Sequence, residues 1–187
     1  MSNQIAWIYG PSAAGKETFI NHITVKKPRE LLEKLRWWRR PIIVCRESLD
    51  WVVQAVGDGN EQKRKGLVEI IKRYDREHSG TIILVKGQDL DFENRTHIDL
   101  KDALPKAEHN IIYLITSLEE MFERLRIKPW WTEDITPLDC YQWARSQTKL
   151  VLKAKSVGFE VTTLDSSENL DYPLLTFPVP SFPPLIQ

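Results

Sequence analysis

The sequence predicts an α/β fold, with a five-stranded parallel sheet and helices on both of its faces. Three observations predict it. Five short runs rich in aliphatic and β-branched residues recur along the chain, and longer stretches of helical spacing separate them. Each run is also apolar along nearly its whole length, as a strand covered on both faces must be. At 187 residues and 42% hydrophobic, the chain is long enough to bury one core, and one domain is the expectation.

The first run spans 4–9, and helices are expected over 15–23 and 29–36. The second run spans 41–45 and precedes a helix expected over 49–56. A longer helix over 61–78 places Leu67, Ile70, Ile71 and Tyr74 on one face and stops at Ser79-Gly80. The third and fourth runs span 81–85 and 110–115, and a helix over 118–125 follows the fourth. A last helix over 137–156, closed by Val157-Gly158, leads into the fifth run at 160–164. The domain is thus expected over 1–171. Residues 172–187 hold five of the eleven prolines and almost no charge, so they continue neither helix nor sheet. Leu174, Leu175, Phe177, Phe182 and Leu185 point to a tail that packs along the surface.

Lys plus Arg is 26 and Asp plus Glu is 26, so net charge provides no broad attraction to nucleic acid or to an anionic membrane. The longest apolar run is about half of the roughly 20 residues a membrane span requires, and the first residues lack the pattern of a signal peptide. A soluble, cytoplasmic protein with no membrane partner is expected. Cys45 and Cys140 form no metal-ligand cluster and no disulfide framework, and both are expected to be buried thiols. His22, His78, His97 and His109 lack metal spacing and adjacent nucleophiles.

The chemistry is concentrated directly after the first run, in Gly10-Pro11-Ser12-Ala13-Ala14-Gly15-Lys16-Glu17-Thr18. This satisfies G-x-x-x-x-G-K between a strand and a helix, the context a phosphate-binding loop requires. Glycines let the chain curl until successive backbone N–H groups point inward, and small residues let a phosphate approach the backbone. Lys16 would reach the β- and γ-phosphates, and Thr18 the α-phosphate. The motif normally continues with Ser or Thr, whose hydroxyl holds magnesium, and here Glu17 stands in that place. As a hard carboxylate ligand Glu17 could bind magnesium directly or through water; it could also repel a triphosphate. Two readings stay open: a working ATP site with altered metal ligation, or a degenerate site that binds nucleotide without turnover.

The loop, the length and the five predicted strands, with arginines after the fourth, resemble the small P-loop kinases related to nucleoside monophosphate kinases, over about residues 4–170. Some members of that group carry an acidic residue after the loop lysine, in G-K-D-S or G-K-D-T, to which Gly15-Lys16-Glu17-Thr18 is similar. The resemblance implies an acceptor beyond the second and third strands. There Arg46 could clamp an anion and Glu47 could accept a hydroxyl proton or orient the arginine, although an exposed ion pair explains them equally well. After the third strand, Lys86 stands where the resembled kinases carry an aspartate that helps hold the magnesium shell. Glu17 or Asp89 is then the substitute ligand, and Gln88 and Asp89 could hydrogen-bond the acceptor.

The resemblance also implies a lid over about 124–136, in which Arg124 and Arg126 stabilise the transferring phosphoryl group. A solvated helix end with basic residues is the plainer alternative, and Arg145 is a further, weaker member of the cluster. Four of the seven tryptophans occur as Trp37-Trp38 and Trp130-Trp131 beside basic residues. They could stack on a base, but core packing of at least one indole in each pair is preferred. The expected activity is transfer of the ATP γ-phosphoryl group, with Mg2+, to a small acceptor, a nucleotide or nucleoside. A regulatory nucleotide-binding module and an NTPase acting near nucleic acid are the rivals.

Overall fold

In a computed structural model of the chain, the structure describes residues 2–11, 13–49, 61–87, 96–128 and 135–167. Five parallel strands form one sheet: β1 (Gln4–Tyr9), β2 (Ile42–Val44), β3 (Ile82–Lys86), β4 (Glu108–Ile115) and β5 (Glu160–Asp165). Their order is β2-β3-β1-β4-β5. In register, Ile8 of β1 faces Lys86 of β3 on one side and Ile112 of β4 on the other. The chain leaves β1 toward β2 and β3, then crosses to β4 and β5, so the carboxyl end of β1 is the point where the winding changes sides. Open α/β sheets bind ligands at such a point.

Alternation along the strands divides the core in two. Ile5, Trp7, Ile83, Val85 and Ile111 face one side, where they meet Leu67 and Ile71 of α3 (Glu61–Glu77), Leu100 of α4 (Thr96–Ala103) and Val151 and Ala154 of α6 (Pro137–Ser156). Ala6, Ile8, Leu84 and Ile112 face the other side. There they meet Phe19 and Ile20 of α1 (Lys16–Asn21), Leu31 and Leu32 of α2 (Arg29–Lys34), and Trp37. A third cluster joins Met121 and Leu125 of α5 (Leu118–Arg126) to Cys140 and Ala144 of α6, with Ala13 of the glycine loop packed against it.

The helix starts follow from local chemistry. Ser117 caps α5 by accepting from the Glu120 N–H, and Thr136 with Asp139 forms a reciprocal capping box on α6, with Pro137 at its first position. Those hydrogen bonds from Thr136 hold the Asp139 carboxyl below its ordinary range.

The parallel sheet with helices on both faces is as the sequence predicts, and strand limits move by no more than two residues. Three details differ. The first helix continues past Asn21 as a wider turn, His22–Lys26, before Pro28. In place of the start of a helix at 49, Arg46–Leu49 forms a single 3-10 turn, and residues 50–60 lie outside the described residues. Helix α4 is absent from the sequence reading: within Thr96–Ala103 only Ile98, Leu100 and Ala103 are apolar, and the spacing of the first two by two residues suggests no helical face. Cys45 and Cys140 are both buried, as expected. Trp37 is in the core, whereas Trp38 lies half-exposed beneath the Arg29 guanidinium, 5.1 Å from its ring centroid. Trp130, Trp131 and the 172–187 tail lie outside the described residues.

Candidate functional site

The loop after β1 is built by backbone conformations that few side chains accept. Gly10 has φ 154°, and a Cβ there would stand 2.5 Å from the Leu114 carbonyl oxygen of β4, so only glycine fits. Pro11 O accepts from the Ala14 N–H at 3.1 Å, closing a turn in which Ala13 is left-handed at φ 64°. Gly15, left-handed at φ 77°, caps α1. Alternating handedness of this kind turns successive N–H groups toward one concavity, and that is the geometry of an anion cradle. Lys16 curls back over the loop, donating to Gly10 O at 2.7 Å and Pro11 O at 3.0 Å. Ser12 lies outside the described residues.

Two elements hold the loop in place. From α5, the Arg124 guanidinium donates to Ala13 O at 3.2 Å and to Ser166 O at 3.0 Å, and pairs with Glu120. Ser166 in turn donates from its N–H to Ile115 O at 2.7 Å, so Arg124 links the loop to the ends of β4 and β5. On the other side of β1, Gly87 donates its N–H to Ile8 O at 3.0 Å. A Cβ on Gly87 would lie 2.0 Å from the Tyr9 ring, a close approach that glycine alone permits.

Arg126 is not brought to the loop. Helix α5 stays helical through Arg126, and residues two apart point to different faces. Its guanidinium pairs instead with Glu123 at 3.3 Å, in solvent. Arg46 and Glu47 follow β2, as expected, and Glu47 is held by Arg73 and by the Tyr74 hydroxyl at 3.0 Å, both on α3. Burial works to raise the Glu47 carboxyl, but hydrogen bonds from its own N–H, Tyr74 and Arg73 outweigh it and keep the group below the ordinary range. Burial pushes the neighbouring Cys45 thiol up to about 11, which makes it a packing residue rather than a nucleophile. Gln88 and Asp89 lie outside the described residues, as do residues 129–134 of the expected lid.

One contact was not legible in the sequence. Lys86, at the end of β3, forms an ion pair with Glu17 in the first turn of α1. The hydrogen bond from Lys86 is the main reason that the Glu17 carboxyl lies below its ordinary range; burial works against it, and the charges of Lys86, Lys128 and Lys16 add smaller contributions in the same direction as the hydrogen bond. A second missed residue is Ser48. Buried, it donates to Cys45 O at 2.6 Å and accepts from the Lys86 N–H at 3.0 Å, tying the turn after β2 to the end of β3.

Among the described residues, Glu17 could hold magnesium only by leaving its pair with Lys86, and Asp89 lies outside the described residues. Magnesium takes near-octahedral oxygen ligation, whereas the carboxylate beside the loop lysine is already bound to an ammonium. Among the described residues, no three His, Cys, Asp or Glu side chains gather as a metal site. An open cavity of about 560 Å3, bounded by Lys101, Pro105, His109 and Gly158, lies at the amino end of β4 and β5, away from the loop. Among the described residues no helix is long and apolar enough to cross a membrane.

A parallel sheet in the order 2-3-1-4-5, with a glycine loop running from its central strand into a helix, is the arrangement of an α/β P-loop fold. No family model matches the chain, and no curated protein sequence does. Among solved structures, it is similar to a shikimate kinase from Bacteroides thetaiotaomicron, at 15% identity and TM-score 0.47 over 90% of this chain and 89% of that one. A gluconokinase from Sinorhizobium meliloti 1021 is similar at 14% identity and TM-score 0.49, over 89% and 84%. A deoxyadenosine kinase from M. mycoides, solved with dCMP and dCDP, is similar at 15% identity and TM-score 0.44, over 89% and 92%. The fold assignment stands on strand order, strand direction and the loop; likenesses of this size say nothing about the substrate.

Proposed function

We propose that the chain is an ATP-dependent phosphotransferase acting on a small acceptor, a nucleotide or nucleoside. The observation that supports this most is the loop itself: the left-handed Ala13 and Gly15, the close-packed Gly10 and the inward-curled Lys16, at the carboxyl end of the central strand. In this reading the loop N–H groups and Lys16 receive the β- and γ-phosphates, with Thr18 at the α-phosphate. Arg124 keeps the loop curved and supplies positive charge beside it as the γ-phosphoryl group moves. Arg126 could join it only by leaving Glu123.

On the acceptor side, the exposed Arg46 attracts an anionic group, and Gln88 and Asp89 hydrogen-bond the acceptor. Glu47, kept ionised by Arg73 and Tyr74, takes the hydroxyl proton. The acceptor oxygen attacks phosphorus in line, the bond to the β,γ-bridging oxygen breaks, and ADP departs. A second reading, a nucleotide-binding module without turnover, is favoured by the Lys86–Glu17 pair, which removes a metal ligand from the loop.

An ADP-release screen separates the two, with ATP against nucleoside monophosphates, nucleosides and phosphosugars, with and without magnesium. Acceptor-dependent ADP release that Lys16→Ala abolishes is the expected result. ATP binding with no release for any acceptor supports the second reading. Unaltered ATP affinity in Lys16→Ala would remove the loop from both.

A further inference from the structure

The two positions at which the loop region departs from the usual magnesium-holding pattern, Glu17 and Lys86, are 69 residues apart in sequence and bound to each other. Resting on the nucleotide-binding reading above, we propose that the Lys86 ammonium stands in for the divalent cation. Nucleoside phosphates then bind this chain without magnesium, and Glu17 holds the Lys86 charge until they arrive.

Placement is the first argument. Lys86 ends the strand next to β1 and is in register with Ile8, two residues before Gly10, while Glu17 directly follows Lys16. The ammonium is therefore held between the end of β3 and the first turn of the loop helix. The Ser48 hydroxyl fixes the Lys86 backbone from the other side.

The second argument is the asymmetry of the pair. The Lys86 side chain is 11% exposed and that of Glu17 is 69% exposed. Releasing Glu17 returns a carboxylate to water at little cost, whereas Lys86 without an anion would leave a mostly desolvated charge uncompensated. Such a pair exchanges partners readily in one direction only: an incoming phosphate takes the lysine and Glu17 swings out. Together with Lys16, which lies over the loop, Lys86 then presents two ammonium groups to the polyphosphate. A divalent ion placed between them would meet repulsion from the same charges that attract the phosphates.

The test is calorimetric titration of ATP into the full chain, once in excess EDTA and once in excess magnesium. Wild-type affinity should agree between the two within about threefold. Glu17→Gln should tighten ATP binding severalfold in EDTA, because the competing carboxylate is gone. Lys86→Met should weaken it on the order of tenfold in EDTA, and magnesium should recover part of the loss by using the released Glu17. Lys86→Arg, which keeps the charge, should stay nearer to wild type than Lys86→Met does. Wild-type binding that magnesium tightens more than about tenfold overturns the proposal while leaving the nucleotide-binding reading intact. A folded Lys86→Met that binds ATP as wild type does in EDTA also overturns it. Absence of ATP binding in both buffers overturns the proposal and the nucleotide-binding reading together. The wild-type comparison decides the matter even where a variant fails to fold.

Discussion

Both ends of the sheet gather arginines, lysines, amides and carboxylates, but they use them differently. At the amino end, Asn3 donates to Asp75 O and Oδ1 and to His78 O, and accepts from the buried Thr81 N–H. Arg40 donates to Ser2 O, Gly80 O and Gln4 Oε1, and makes one longer contact, 3.5 Å, with the exposed Glu108 carboxylate. Apart from the Asp75 and Glu108 carboxylates, these partners are backbone groups or a neutral amide, which stay in place whatever binds elsewhere. At the carboxyl end the pairs are between ions, Lys86 with Glu17 and Arg73 with Glu47. A neutral partner fixes the chain, while a charged partner can be exchanged for a ligand of the same sign. The type of partner distinguishes a candidate site from a structural cluster; neither the number of charges nor left-handed backbone does, since Arg39 and Gly80 at the amino end are left-handed too.

The comparison can be broken at four places. Asn3→Ala should have the largest effect on stability, about 3 kcal/mol by urea denaturation, because it leaves the Thr81 N–H unsatisfied and releases the end of α3. ATP affinity should not change. A loss of nucleotide binding in a folded Asn3→Ala would show that the two ends are not independent. Gly87→Ala should follow at about 1–3 kcal/mol, since the added methyl must displace the Tyr9 ring; a neutral melting curve would place that ring elsewhere.

Arg124→Ala sharpens the contrast, because this residue belongs to both categories. Its bonds to Ala13 O and Ser166 O are structural, but one of them holds the loop. ATP affinity should fall by about tenfold, together with a lower melting temperature. A fall in stability alone would make Arg124 equivalent to Arg40. The smallest effect is expected for Arg126→Ala, within about 0.5 kcal/mol of wild type and without change in ATP affinity, since the bond to Glu123 is an exposed pair. A large drop in turnover with this variant would mean that Arg126 leaves Glu123 during the reaction.

The strands and the loop were legible because their signals are local: apolar runs of five or six residues, and a motif whose glycines serve backbone needs within six positions. The helices over 118–125 and 137–156 were legible as well, and the structure adds that Ser117 caps the first and Pro137 stands at the start of the second. Helix α4 was not legible, since few of its side chains are apolar and Ile98 and Leu100, two apart, mark no common face. The Lys86–Glu17 pair was visible only as two separate departures of opposite sign. Joining them requires the parallel register of β1 with β3, which no local pattern encodes. The same limit applies to Arg124 and Arg126, which look equivalent in sequence until the helix is seen to run through both. Ser48 offered no signal beyond that of a common turn residue.

Ala13 carries one more consequence. Holding a non-glycine residue left-handed costs on the order of 1–2 kcal/mol, yet its methyl packs against the cluster formed by Met121, Leu125 and Cys140. Glycine would relax the strain and lose the contact. The curvature of the loop is therefore set by the hydrophobic interior between α5 and α6 as well as by its own backbone. A cradle shaped in this way is preorganised: its ordering entropy is lost when the chain folds, so little of it is left to oppose the arrival of a phosphate.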